Sequence, residues 1–178
     1  VVPSLLNDPT YSTAVKVLYN NKNIYFGIVL IQDDNSIAFK SGDYDDFTNT
    51  FDSNSDYFVI ELDPENKHDN AYGFAINASN IKADYMVYGD ESGSIDDYWN
   101  AQWESAVSIN KNSWVIEVSI PLSELRFNDS QNQDWGLNLI RYDWSGSFTL
   151  PNSDIRWPTI HIIPLSEIKS GILLLHIA

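Results

Sequence analysis

The strongest constraint on this chain is a repeated alternation of period two. In Trp114-Val115-Ile116-Glu117-Val118-Ser119-Ile120 the residues Trp114, Ile116, Val118 and Ile120 fall on one face, as in a half-buried strand. Runs of this kind recur, each bounded by turn-forming residues. Residues 14–19 and 24–31 flank Asn20-Asn21-Lys22-Asn23, which is a hairpin pattern. Residues 57–62 are stopped by Asp63-Pro64-Glu65-Asn66. Two further hairpins are expected, 71–77 with 81–88 and 103–109 with 113–120, and strands over 134–142 and 171–178. Segments 33–56 and 89–98 are acidic loops, and Pro121-Leu122-Ser123-Glu124-Leu125 allows at most one short helical turn. Short strands at this spacing, with no amphipathic helix, predict an all-β antiparallel β-sandwich of jelly-roll or immunoglobulin-like type.

At 178 residues the length suits one domain, and 43% hydrophobic residues suffice for a core. We expect an N-terminal extension or truncated edge strand over 1–12, the sandwich over 13–158, and a C-terminal strand or lead to a following region over 159–178. No stretch has the roughly 18 apolar residues of a membrane-spanning helix. The 25 acidic against 10 basic side chains give a net charge of −15, which makes nucleic acid a poor partner because polyanions are bound through Lys and Arg. The absence of cysteine removes disulfides, thiolate nucleophiles and zinc fingers together.

Signals for catalysis are weak. Paired carboxylates set roughly 5 to 10 Å apart serve glycoside hydrolysis, but among so many acidic residues spacing selects no pair. Glu61 and Glu117 lie in strands, and a solvated sandwich face is the simpler home for both. His68, His161 and His176 have no Ser or Cys signature beside them, and no HExxH occurs. Asp-rich loops suit calcium, a cation that takes oxygen ligands. Asp33-Asp34 and the alternating Asp52, Asn54, Asp56 are the candidate ligands, although Tyr57 stands where an EF-hand requires glycine. These loops hold either a looser structural calcium site or solvated charge.

The six Trp, ten Tyr and eight Phe carry the most information. Trp114 and Trp135 fit strand cores. Trp99 and Trp103, four apart, divide between core and loop. Trp144 and Trp157 stand in a Gly-, Ser- and Pro-rich region where no strand core demands a large ring. Aromatic faces stack on the C–H faces of sugar rings while neighbouring polar groups bond the hydroxyls, so these two are candidate ligand contacts.

The order of "VKVLYNNKNIYFGIVL", "DYFVIELDPENKHDNAYGFAINASNIKADY", "WNAQWESAV", "SWVIEVSIPLSELRF" and "DWGLNLIRYD" resembles the family 9 carbohydrate-binding module and its DOMON-like relatives. It is especially similar to the version at the N-terminus of large bacterial outer-membrane proteins, common in Bacteroidetes. The resemblance implies a non-catalytic, often calcium-stabilised sandwich that holds a glycan terminus between two aromatic rings. Phe51 stands where the first ring would come from, in place of the usual Trp, and Arg156-Trp157 is similar to the second element. Asn152 or Asp154 would bond hydroxyls beside Arg156. The family's opening strand is not recognisable before Tyr11.

The expectation is thus a non-catalytic module binding an oligosaccharide or polysaccharide at a bacterial cell surface or in the periplasm. Its ligand contacts would be Phe51, Trp144, Asn152, Asp154, Arg156 and Trp157, with Asp33, Asp34, Asp52 and Asp56 as calcium ligands. The alternative is a structural or protein-interaction sandwich within a larger outer-membrane-associated protein, whose missing strand leaves an edge for other domains to complete.

Overall fold

A computed structural model describes residues 12–46, 51, 55–89, 94–128 and 133–144, and the backbone of 159–162 and 171–177. Among these residues eleven strands form two antiparallel sheets, as the alternation predicts. The first sheet runs β11–β1–β2–β8–β7, with β1 Thr13–Tyr19, β2 Asn23–Ile31, β7 Glu104–Asn110, β8 Ser113–Pro121 and β11 Gly171–Ile177. The second runs β10–β9–β3–β4–β5–β6. Its strands are β3 Tyr57–Asp63, β4 Asn70–Asn77, β5 Lys82–Tyr88, β6 Ser94–Asp96, β9 Gln133–Tyr142 and β10 Thr159–Ile162. Short β6 pairs with β5 inside the segment expected as an acidic loop. The turn after Pro121 is the 3-10 turn Leu122–Glu124. No helix among the described residues is long and apolar enough to cross a membrane.

The turns form where side chains can replace the missing ladder bonds. Asn20 Oδ1 accepts the backbone N–H groups of Lys22 (2.8 Å) and Asn23 (2.9 Å), closing the β1–β2 hairpin. Asn77 does the same for β4–β5, its Oδ1 accepting from Ser79 and Ile81, while Asn80 takes the left-handed φ of 59° that Asn tolerates. β1 is not an edge strand, because β11 pairs with it from Thr13↔Ile177 to Tyr19↔Gly171. The edge of the first sheet beside β1 is thus covered by the chain's own β11.

The inner faces make the core. Val15, Phe26, Ile28, Ile116 and Ile120 of the first sheet meet Phe58, Ile60, Phe74 and Leu137 of the second. Trp114 and Trp135 are buried there, as expected from their strand positions. Trp103 is also buried, whereas Trp99 lies at the core's margin against Tyr72.

The outer face of the second sheet departs from the simple alternation. β3 and β4 are buried almost continuously rather than every second residue. A second cluster of Phe51, Val59, Ala75, Ala83 and Tyr85 covers this face, with Phe51 supplied by the long loop before β3. A sheet covered on both sides loses its polar face, which the sequence of β4 (Ala71, Gly73, Ala75) accommodates with small residues.

Candidate functional site

The end of the sandwich where β2 and β9 finish and β3 begins is called the upper end here. A polar clasp ties the sheets together at this point. Gln32, buried just past β2, donates through Nε2 to Asp56 Oδ2 at 2.6 Å. Its Oε1 accepts from Trp114 Nε1 at 3.2 Å and from Arg141 Nη2 at 2.9 Å. Arg141, on β9, also donates through Nη1 to Thr13 Oγ1 at 3.2 Å. Thr13, Gln32 and Trp114 from the side of the first sheet and Asp56 and Arg141 from the side of the second thus share one hydrogen-bonded unit, which buried polar groups require.

Asp56 is completely buried and accepts N–H bonds from Gln32, from the Ala38 backbone (3.2 Å) and from the Trp144 backbone (2.8 Å). Burial pushes its carboxyl above the ordinary range and the nearby Asp143 carboxylate adds to the rise, against the lowering by those N–H donors. The bond to Trp144 fixes the backbone of the segment leaving β9. Trp144 itself is 45% exposed, so a large ring stands at the surface of the upper end.

At the same end two tyrosines pair across β3 and β9. Tyr57 and Tyr142 are direct register partners, and their rings stack with centroids 4.8 Å apart and planes 15° from parallel. Both are half-buried. Four residues further along β3, Glu61 lies between Asn138 and Tyr85. Its carboxylate accepts from Asn138 Nδ2 and from the Tyr85 hydroxyl, each at 2.8 Å. Glu61 is therefore not on a solvated face as expected but 8% exposed between Tyr85 and Asn138, whereas Glu117 on the other sheet is exposed.

Of the expected ligand contacts, Trp144 lies at this end as an accessible ring. Phe51 does not fit the stacking role. It has no accessible surface, sits edge-on to Tyr57 at 5.6 Å and belongs to the second apolar cluster, so it offers no free face to a sugar. Asn152, Asp154, Arg156 and Trp157 lie outside the described residues.

The expected calcium ligands are separated by their environments. Asp33 and Asp34 belong to an exposed 3-10 turn after β2, where Asp33 Oδ1 accepts from Asn35 N (3.0 Å) and Asn35 Nδ2 (2.9 Å). Those bonds hold its carboxyl below the usual range. Asp56 is buried with N–H donors on both oxygens, and Asp52 lies outside the described residues. Asp33 and Asp34 thus stand on an exposed turn, whereas Asp56 stands in a buried, hydrogen-bonded setting.

Sequence reasoning missed Gln32, Arg141, Tyr57, Tyr142 and Asn138. The available signal was the opposed placement of Asp56-Tyr57 at the start of one strand and Tyr142-Asp143 at the end of another. Antiparallel pairing of those strands sets the two aromatic–acid pairs side by side.

The comparisons agree with this architecture. The family model described as carbohydrate family 9 binding domain-like matches residues 3–159. A comparison with curated proteins finds no match. A match over most of the chain, on a two-sheet antiparallel sandwich with an aromatic upper end, identifies it as a member of the carbohydrate family 9 binding domain-like family.

Proposed function

We propose that this domain binds carbohydrate without catalysis, at a bacterial cell surface or in the periplasm, as part of a larger outer-membrane-associated protein. The observation that carries the reading is the exposed Trp144 at the same end of the sandwich as the stacked Tyr57 and Tyr142, in a chain of this family. Trp144 is the stacking platform, and Trp157 with Arg156, Asn152 and Asp154 completes the ligand contacts. The excess of carboxylates favours a neutral glycan over an anionic one. Calcium enters the proposal only as a structural ion of the Asp-rich segment around Asp52, supported by the alternating oxygen donors of that segment alone.

Calorimetric titration with a panel of soluble oligosaccharides, once with calcium and once with chelator, tests this. Binding in the micromolar to millimolar range is expected, with Trp144→Ala and Trp157→Ala each weakening it about tenfold, roughly 1.4 kcal/mol. The Trp144 variant keeps the melting temperature, because the bond to Asp56 uses the backbone. Silence from folded protein across the panel contradicts the reading, and unchanged affinity in both variants contradicts the stacking site.

A further inference from the structure

The lower end of the sandwich, where β3 finishes and β4 begins, holds a cavity that the carbohydrate reading does not use. It encloses about 380 Å³ between the loop after β3, the end of β5 and the segment following β8. The seven residues of β3 separate it from Tyr57 by roughly 20 Å.

Its walls are aromatic and soft. Trp99, Tyr72, Tyr88 and Met86 line it. Trp99 is held by Tyr72, with ring centroids 5.1 Å apart and planes at 55°, and by Phe74 at 5.8 Å and 75°. Tyr88 is 41% exposed and its hydroxyl donates to Met86 Sδ at 3.1 Å. The rim is acidic. Glu65, Asp69 and Glu124 line it, against Arg126 on the same wall, while Asp63 behind them is buried with its carboxylate accepting from the Glu65 and His68 N–H groups. Lys67 is taken up by Glu65 at 2.6 Å, whereas Glu124 forms no ion pair among the described residues. Carboxylates therefore outnumber cations even when both basic groups are counted.

Aromatic faces attract a cation through the ring quadrupole, and a cavity wall screens the attraction less than open water does. The same excess of negative charge repels phosphate and acidic sugars. We propose that this cavity binds a small organic ammonium ion, its cationic head against Trp99 and Tyr88 and its charge balanced by Glu124 and Asp69. The proposal stands independently of carbohydrate binding, since it uses other residues at the other end of the fold.

The test is a titration of the full chain at low salt with choline and with 3,3-dimethylbutan-1-ol, which has the same shape without the charge. Choline should saturate a single site, with the uncharged analogue at least about tenfold weaker and the choline affinity falling as sodium chloride is added. Tyr88→Ala and Glu124→Gln should each weaken choline about three- to tenfold while leaving the oligosaccharide titration unchanged. Both substitutions are at the cavity rather than in the buried core, and thermal melts verify that each variant folds. Equal binding of the two probes, no binding of choline, or choline binding untouched in both variants overturns the proposal.

Discussion

At Gly73 the missing side chain is what allows the ring of Tyr85 to lie across the outer face of the second sheet. A Cβ there would sit 2.2 Å from Tyr85 Cζ. The ring cannot swing away freely, because Tyr85 is only 4% exposed within the Phe51 cluster and its hydroxyl is bonded to Glu61. Gly73→Ala should therefore destabilise the domain by about 3 kcal/mol, combining overpacking with a weakened bond to a buried carboxylate. Denaturant unfolding measures this, and a loss under about 0.5 kcal/mol would show that the ring relaxes without cost. None of this was legible at residue 73 itself. The sequence marks Gly73 only as a small residue in a strand, and Glu61 as one carboxylate among many. Their burial depends on the ring of Tyr85, the register partner of Gly73, and on Asn138, the register partner of Glu61.

At the scale of elements, the hairpins were readable because their causes are local. Asn20 and Asn77 satisfy turn N–H groups within four residues of themselves, and period-two alternation decides which side chains face inward. The closure of the first sheet is not local. β11 finds β1 across more than 150 residues of chain, and nothing in either strand names the other. Ending the chain at Ser170 should leave the whole outer edge of β1 without its ladder. The shortened protein is expected to self-associate through that edge, whereas a monomer of undiminished stability by light scattering and thermal melting would mean that β11 contributes little to the fold.

For the whole molecule, charge is the dominant variable. Burial, reinforced by the neighbouring Asp84 carboxylate, raises the Asp45 carboxyl to about 6 even though Asp45 Oδ1 accepts the Asp84 N–H at 3.1 Å. Asp56 is raised as well. A carboxyl whose pKa is higher folded than unfolded favours the fold below the unfolded value of 3.8, and that contribution disappears as pH rises through about 6. Acidification also reduces the self-repulsion of a chain with net charge −15. The melting temperature should accordingly be higher near pH 4.5 than at pH 7.5. Asp45→Asn keeps the accepting carbonyl and removes the charge, so it should raise the midpoint at pH 7.5 by about 2–4 °C, on the order of 1 kcal/mol after solvent screening, and flatten the dependence. A midpoint that climbs steadily from pH 4.5 to 7.5 contradicts this account.

By itself the sequence determined the fold class, most strand positions, the core placement of Trp114 and Trp135, and the family. Each follows from short-range patterns or from the order of such patterns, which survive in one dimension. The tertiary structure alone decided that Phe51 is buried, that Glu61 is enclosed and that Gln32 joins Asp56, Trp114 and Arg141 into one clasp. It also decided that Tyr57 and Tyr142 stack at the end of the sandwich where Trp144 is exposed. The reason is physical: burial and pairing of a side chain are set by what crosses over it, and in an antiparallel sandwich those neighbours come from strands and loops far away in sequence.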